Sequence, residues 1–117
     1  RAVKVNYEDP KEERLIASRV IKAESFFSRL FGLTVRRKLK ADEGFYIEYC
    51  SSIHTFWMRY SIDAVFLDRN NKIIAVYNNI RPFRVTQFIK NSFSVLEMCS
   101  GSIDRASLSI GDVIRFI

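Results

Sequence analysis

The chain has 117 residues, of which 48% are hydrophobic and ten are Phe, whereas only four are Gly and two are Pro. This composition is typical of a single globular domain and excludes disordered and fibrous proteins. The longest apolar runs, such as residues 64–67, are far shorter than the roughly 20 residues of a transmembrane helix, so we expect a soluble protein with no membrane span.

The net charge of +6 is unevenly distributed. Residues 1–40 contain eleven Lys or Arg against five Asp or Glu, and the remaining residues contain eight of each. The densest basic stretch, residues 36–40, has the charge to face nucleic acid, an anionic membrane or an acidic partner. No RNA-binding aromatic motif accompanies it, so a solvated loop is the preferred interpretation and nucleic acid an unlikely partner. The sequence starts at Arg1 rather than Met, which leaves a preceding signal peptide, and hence a cytoplasmic or an exported location, open.

The first third of the chain is predicted to contain an arm, a strand and a short helix. Residues 1–14 are polar and include Pro10, which indicates an N-terminal arm or a poorly paired edge strand. The β-branched residues within 15–23 predict a first strand. Large apolar side chains then recur at helical spacing, which predicts a short helix that ends near Gly32 and packs against a sheet. These side chains are Phe26, Phe27, Leu30 and Phe31.

The middle of the chain is predicted to form three strands. Alternating apolar side chains indicate a strand with one buried face over residues 44–49. Residues 63–68 and 72–77 are rich in β-forming residues and are separated by Arg69-Asn70-Asn71. Because Asn tolerates the positive φ of tight turns, we predict a hairpin.

The last part of the chain is predicted to leave the sheet and return to it. Arg81-Pro82 marks the departure, because proline has no N–H to donate to a neighbouring strand. Residues 93–98 form the next predicted strand, and residues 102–108 a short helix with an acidic residue near its start. A final strand over residues 113–117 is predicted to be central, since nearly all of its residues are apolar.

Together these elements predict an α+β fold, because six strands and two short helices do not follow the repeating βαβ order of parallel folds. We expect a single β-rich globular domain over residues 15–117, preceded by the arm of residues 1–14. Its sheet is predicted to be curled, antiparallel or mixed, and to approach a small barrel.

The two cysteines, Cys50 and Cys99, are too few for a disulfide scaffold, and their separation matches no zinc-ligand spacing. Buried free thiols are the preferred interpretation. A disulfide is the alternative, since both residues end predicted strands that could lie side by side. No CxxC motif or adjacent base supports a redox or nucleophilic role.

Residues 54–59 are the candidate site. If this segment is a strand with Phe56 and Met58 in the core, alternation directs Trp57 and Arg59 outward together. A plain core with a surface charge is the alternative interpretation. An exposed Trp beside an Arg is costly unless it binds something, so we expect this pair to contact a ligand.

Two acidic residues are candidate partners for Arg59. Asp63 follows it by four residues and could instead cap the turn of residues 60–62. Glu97 occupies an alternate position in a mostly apolar predicted strand, so it is either a solvent-facing residue or a partner of Arg59 or Arg36 inside the fold. Either ion pair would neutralise Arg59 and begin a polar pocket. His54 is the sole histidine, and a hydrogen bond at the rim of the sheet explains it more simply than catalysis or metal binding.

Several short motifs occur in the order and at the spacing of a known family. They are Gly32-Leu33-Thr34, Trp57-Met58-Arg59, Ser61-Ile62-Asp63, Leu96-Glu97 with Gly101, and Gly111-Asp112. On these motifs the chain, from about residue 16 to residue 117, resembles the domain-of-unknown-function family 192. Thr34 stands where that family usually has Met, and Cys99 where small residues or Pro are usual. The resemblance implies a small β-rich fold with short helices, and it brings no established activity.

We expect a non-enzymatic binding domain in which an aromatic and arginine patch takes a small anionic ligand, a peptide or a carbohydrate. One alternative is a hydrolase-type enzyme that uses His54 with Asp63 or Cys99, and another is an accessory subunit that meets a protein partner. No cofactor and no metal are predicted, because no motif for either is present. The candidate binding residues are His54, Trp57, Arg59, Asp63, Asn79 and Glu97.

Overall fold

The structure, a computed structural model, describes residues 1–6, 9–23, 38–55 and 58–117. Within these ranges the chain is mostly β-sheet, with eight strands, one short α-helix and one 3₁₀ turn at Pro10–Glu12. The helix is α1 (Ser102–Arg105). The strands are β1 (Ala2–Lys4), β2 (Arg14–Ala17), β3 (Arg19–Lys22), β4 (Glu43–Glu48), β5 (Ile62–Leu67), β6 (Ile73–Ile80), β7 (Ser94–Cys99) and β8 (Ile114–Phe116).

The described strands form two open sheets. The larger sheet has the order β3-β4-β7-β5-β6, and the smaller one has the order β2-β1-β8. Strand β3 is parallel to β4, whereas every other neighbouring pair of described strands is antiparallel, so the larger sheet is mixed, which was one of the two predicted alternatives. The prediction of about six strands in one sheet is wrong, because the eight described strands are divided between two sheets. The prediction of a sheet approaching a barrel is wrong, because β3 and β6 remain at opposite edges instead of pairing with each other.

Strands β5 and β6 form the predicted hairpin. Its turn is fixed by Asp68, whose Oδ1 accepts hydrogen bonds from the N–H groups of Asn70 (2.8 Å) and Lys72 (3.0 Å). Asn71 has a φ of 60°, the left-handed conformation for which Asn was expected at this turn. Strand β6 continues to Ile80, beyond the predicted end of the hairpin.

Both faces of the larger sheet are buried, which explains why β5 is apolar at every position except Asp63. All six residues of β5 are buried. One face packs against the smaller sheet and α1, through residues such as Ile16, Ile103 and Ile114. The opposite face packs against non-strand residues that include Leu39, Ile53 and Met58. A sheet covered on both sides needs little polar alternation along its central strands.

The two ends of the chain differ from the prediction. Strand β1 is the middle strand of the smaller sheet, and Ala2 and Val3 are buried, so this part of the expected arm belongs to the core. Strand β8 lies at an edge of that sheet, although it was predicted to be central. Its apolar residue Ile114 is buried by packing onto the larger sheet, which removes it from water without a strand on each side.

The strand predicted over residues 15–23 is divided between the two sheets. Strand β2 ends at Ala17 and pairs with β1, whereas β3 starts at Arg19 and pairs with β4. Between them the N–H of Ser18 donates to the carbonyl of Asp42 (2.8 Å). The chain therefore changes sheets at Ser18, and no local sequence pattern marks this change.

The C-terminal helix is shorter than predicted. Helix α1 has four residues and ends before Ser107, whose φ is 52°. The helix predicted at residues 26–31 lies outside the described residues, so the expected second helix has no counterpart among them. No helix in the described ranges is long and apolar enough to cross a membrane.

Candidate functional site

The loop that follows β6 folds back against residues 53–55. The N–H of Thr55 donates to the carbonyl of Arg84 (2.8 Å). The N–H of Thr86 donates to the carbonyl of Ile53 (2.9 Å). Two extended segments from distant parts of the sequence are thereby held side by side, and residues 84–86 form one wall of a cleft whose other wall is the end of β6.

Thr55 fixes the turn that carries two arginines. Its side chain is fully buried. The hydroxyl donates to the carbonyl of Arg81 (2.6 Å) and accepts from the N–H of Arg84 (2.9 Å). Phe83, inside this turn, has a φ of 62°, which is uncommon for a bulky residue. The backbone of residues 81–84 is therefore held in one shape by a single threonine.

The cleft beside β6 has a volume of about 410 Å³ and opens to solvent. This volume is within the range of roughly 300–1,000 Å³ that is usual for small-molecule sites. Its lining combines arginines, asparagines, one tyrosine, one threonine and aliphatic side chains. The lining residues are Tyr77, Asn78, Asn79, Ile80, Arg81, Arg84, Val85 and Thr86.

Positive charge dominates the cleft. Arg81 and Arg84 are both exposed at its rim. The stretch from residue 69 to residue 96, which supplies the whole lining, contains no Asp or Glu. The guanidinium groups are thus not neutralised from within their own segment, and they can form the paired hydrogen bonds that Arg makes to carboxylate and phosphate groups.

Asn79 reaches the cleft through a bulge in β6. Strand β6 has an extra residue opposite β5 between Ile80 and Tyr77, and Asn79 has a φ of 53° there. The carboxylate of Asp63, fully buried, accepts from the N–H of Asn79 (2.8 Å). The same carboxylate accepts from the N–H groups of Gly101 (3.1 Å) and Ile103 (3.0 Å). Asp63 is therefore a positioning residue that joins the bulge to the start of α1.

Glu97 is a buried carboxyl group on the face of the larger sheet opposite to Asp63. It lies between Phe45 on β4 and Ala64 on β5 and is only 3% exposed. Among the described residues its Oε2 atom has no hydrogen-bond partner. Burial raises the pKa of Glu97 from 4.5 to about 8, so the group is largely protonated at neutral pH. Burial, with the Glu97 charge as the lesser cause, also raises the pKa of Tyr60.

The expected ion pair of Arg59 with Asp63 or Glu97 does not form. Arg59 is exposed, whereas both carboxyl groups are buried. Asp63 lies opposite Met98, and Glu97 lies opposite Ala64, so the two carboxyl groups occupy neighbouring register positions. Neighbouring positions point to opposite faces of a sheet, so Asp63 faces α1 and Glu97 faces the other side. No salt bridge within the described ranges joins either carboxyl group to Arg59.

Residues 54–59 are not a regular strand in the part that the structure describes. His54 forms an isolated antiparallel bridge with Val85. Met58 is buried as predicted, but Thr55 is buried as well, which alternation does not allow. The polar partners of Thr55 explain this departure. Phe56 and Trp57 lie outside the described residues, so the predicted outward direction of Trp57 stays a prediction.

The structure does not bring together the groups of the hydrolase alternative. The hydrogen bonds of the Asp63 carboxylate go to backbone N–H groups, and Cys99 contacts Ser102 and Arg105 rather than His54. Within residues 1–6, 9–23, 38–55 and 58–117, no group of three or more His, Cys, Asp or Glu side chains could hold a metal ion.

Both cysteines are free thiols, as preferred from the sequence, and the disulfide alternative is wrong. They are half-buried rather than fully buried. The thiol of Cys50 donates to the carbonyl of Ser52 (3.1 Å). The sulfur of Cys99 accepts from the guanidinium of Arg105 (3.0 Å) and lies 3.3 Å from the hydroxyl of Ser102.

The sequence pointed to Asn79 in the cleft and included Thr55 in the candidate segment, but the two arginines and the role of Thr55 in holding them were missed. A local signal existed for Arg81 and Arg84, since they flank the pair Pro82-Phe83 in a long stretch without acidic residues. None existed for Thr55, because its partners Arg81 and Arg84 are 26 and 29 residues away.

Two solved structures share this fold. One is a protein of unknown function from Novosphingobium aromaticivorans DSM 12444, with a TM-score of 0.78 and 14% sequence identity over 98% of this chain and 83% of that one. The other is a proposed transcription regulator from Sinorhizobium meliloti 1021, with a TM-score of 0.78 and 18% identity over 97% of this chain and 90% of that one. At these identities the likeness concerns the fold alone.

Sequence comparison gives the same picture at higher identity. A UPF0127 protein from Pyrococcus abyssi (strain GE5 / Orsay) is 30% identical over 98 residues, which are 81% of this chain and 83% of the relative. A family model with the description "Uncharacterized ACR" matches residues 8–116. The chain therefore belongs to domain-of-unknown-function family 192, DUF192, as its motifs indicated.

Proposed function

We propose that this chain is a non-enzymatic binding domain and that the cleft beside β6 takes the anionic group of a small ligand or partner. One observation carries the proposal. Arg81 and Arg84 stand at the rim of a cleft of about 410 Å³ whose whole lining comes from a stretch without acidic residues.

The lining chemistry supports binding of a carboxylate or a phosphate. Guanidinium groups present several N–H donors in a fork that matches two oxygens of such a group. The amides of Asn78 and Asn79 add donors and acceptors along one wall. Tyr77 and Val85 supply the apolar surface that ligand clefts usually contain. These side chains donate hydrogen bonds and carry positive charge, which suits recognition of an anionic group rather than proton transfer.

The rigidity of the turn also supports binding. The single hydroxyl group of Thr55 bonds both the carbonyl of Arg81 and the N–H of Arg84. The two arginine side chains therefore project from a backbone that is already ordered. A preformed site loses less conformational entropy when a ligand binds, and its affinity is higher for that reason.

The test is a thermal-shift and calorimetric titration at low ionic strength with inorganic phosphate and with citrate. Low salt is needed because exposed charges are screened at physiological ionic strength. We expect both anions to raise the melting temperature, and we expect Arg84→Ala to weaken binding by about tenfold, the effect of losing one charge-assisted contact.

A matched control is Arg19→Ala, which removes an exposed arginine from β3 at the opposite edge of the sheet. This variant makes the same change in net charge, so it should bind phosphate and citrate like the wild type. An Arg81→Ala/Arg84→Ala double variant with an unchanged response to both anions would sink the proposal.

A further inference from the structure

Among the strands that the structure describes, β6 is an edge strand, and most of its outer side is unpaired. Strand β5 pairs with its inner side. On the outer side Ile73 donates its N–H to the carbonyl of Asp112 (2.8 Å), and its carbonyl accepts from the N–H of Gly111 (2.8 Å). No other strand of the described chain pairs with this side. Residues 75–77 pair with β5 in regular register, so alternate residues of this run direct their N–H and C=O groups outward, where another strand could pair with them. Bulges bound the run on both sides, at residue 74 and at Asn79.

The other edge of the same sheet is protected, and β6 is not. Strand β3 has only four residues, and Arg19 and Lys22, at its two ends, are both exposed. Short length and charge are the usual ways in which proteins prevent an edge from pairing with other chains. Strand β6 has eight residues, and its half-buried residues 74–77 (Ile-Ala-Val-Tyr) carry no charge. It therefore lacks these two protections, and bulges at residue 74 and at Asn79 limit only the ends of its open run.

The open edge has the length of a short strand. Residues 75–78, between the two bulges, span about 13 Å at roughly 3.3 Å per residue. A partner strand of about three or four residues, within the usual range of strand lengths, would be accommodated along it. The cleft lies at the C-terminal end of this edge, so a peptide paired with β6 would run directly into it.

Charge determines which kind of strand fits. Arg69 and Lys72 precede β6, and Arg81 and Arg84 follow it, without an acidic residue from 69 to 96. All four side chains are exposed. A second copy of this chain would bring the same positive charges together at this edge, which is unfavourable. An acidic residue at each end of a partner strand would instead meet positive charge at both ends of β6.

Apolar surface lies next to the cleft as well. Phe83 and Val85 are each 60% exposed. Aromatic side chains are enriched at protein interfaces because they bury large area at low cost in conformational entropy. Phe83 also keeps a left-handed backbone conformation, and strained residues of this kind cluster at functional sites.

We infer that the anionic group in the cleft belongs to an extended peptide of a protein partner, apolar in the middle and acidic at its ends, which pairs with β6 as an additional strand. This inference rests on the proposed function. Backbone hydrogen bonds to β6 provide the affinity in such strand addition, and side-chain contacts provide the specificity. Here the acidic end in the cleft is the specific contact.

The probe is a fluorescein-labelled, acetylated peptide of sequence EVTVTVD, titrated with the full chain at low salt by fluorescence anisotropy. Two further probes are N-methylated on alternate amides. One carries the methyl groups on the odd-numbered residues of the peptide, and the other carries them on the even-numbered residues. Methylation leaves the charge unchanged but removes the N–H donors on one side of a strand. We expect one methylated peptide to lose about tenfold or more in affinity and the other to bind like the parent, because only one side of a strand faces β6.

Two controls localise the binding. Arg84→Ala should weaken the parent peptide by about tenfold, whereas Arg19→Ala on the protected edge should not change its affinity. Hydrogen exchange measured with the parent peptide bound should slow at amides within residues 74–80 and not within β3. Slowing at β3 instead would overturn the inference.

The remaining outcomes separate the inference from the proposed function. If phosphate binds and all three peptides bind equally, charge alone is recognised, so the strand pairing is refuted while the proposed function stands. If neither phosphate nor any peptide binds, both are refuted. Protection of residues 74–80 without peptide that increases with protein concentration would show that a second copy occupies the edge. A single-stranded oligonucleotide that displaces the peptide and binds more tightly would assign the edge to nucleic acid; either result refutes the inference.

Discussion

The buried carboxyl group of Glu97 makes the stability of this protein depend on pH in a predictable direction. Its pKa rises from 4.5 to about 8 on folding because burial penalises the charged form. Between these two values the unfolded chain has released the proton and the folded chain still holds it. The free energy of unfolding therefore falls as pH rises through this interval, by up to about 1.4 kcal/mol per pH unit.

The magnitude follows from the same two values. From pH 4.5 to about 8 the total loss is on the order of 5 kcal/mol. This stabilisation is fully present below pH 4.5, is lost progressively up to about pH 8, and changes no further above that value. A loss of this size is a large part of the roughly 5–15 kcal/mol that keeps a typical domain folded.

The perturbation is Glu97→Gln, which keeps the shape of the protonated side chain and cannot ionise. We expect the difference in unfolding free energy between this variant and the wild type to shift in favour of the variant by several kcal/mol between about pH 5 and about pH 9. Any cost of the amide itself is the same at every pH and cancels from this comparison. The assay is urea denaturation, monitored by circular dichroism and repeated at intervals of one pH unit across this range.

Glu12→Gln is the control, because Glu12 is exposed and the substitution makes the same chemical change at the surface. Its stability should follow the wild type at every pH. The reasoning is refuted if wild type and Glu97→Gln give parallel curves across the whole interval, since the burial of Glu97 would then have no effect on its ionisation.

Three other substitutions test the contacts that build the site. Asp63→Ala should cost about 3–5 kcal/mol in urea denaturation, because one buried and two partly buried N–H groups lose one acceptor side chain; a cost under about 1 kcal/mol would contradict this. Thr55→Val should cost about 2 kcal/mol and also weaken phosphate binding in calorimetry, since the hydroxyl orders the turn that carries Arg84; unchanged affinity would separate the two roles. Gly44→Ala should cost about 1–3 kcal/mol, because a Cβ there would lie 2.9 Å from the Leu96 side chain, and combining it with Leu96→Ala should cost less than the sum of the two single variants.

Local features of the fold were predictable from the sequence. The β5–β6 hairpin depends on a short turn, where Asp68 and Asn71 supply the hydrogen-bond acceptors and the positive φ that the turn requires. The strand at residues 44–49 was marked by alternation, because Phe45 and Ile47 of β4 are buried whereas Tyr46 and Glu48 are only half-buried. Each of these elements is determined by residues close together in the chain.

The candidate site was less predictable because it depends on contacts between distant segments. Asp63 was expected to pair with Arg59, four residues away, yet its three partners are the N–H groups of residues 79, 101 and 103. Thr55 was expected to alternate with its neighbours, but hydrogen bonds to residues 81 and 84 turn it inward. From a single sequence one can predict which polar groups need hydrogen-bond partners. The identity of those partners depends on how distant strands align, which the sequence alone does not reveal.

The pairing of β1 with β8 constrains the order in which this protein folds. Residues 2–4 pair with residues 114–116, so the smaller sheet is completed only after the chain has been synthesised past residue 116. The β5–β6 hairpin needs no residue beyond its own end and can form much earlier. Closing so long a loop adds little to the free-energy cost, since each doubling of length costs about 0.6 kcal/mol, but such distant contacts slow folding. Strand β1 can pair early with the nearby β2, but Ala2 and Val3 gain their pairing with β8 only when residues 114–116 become available.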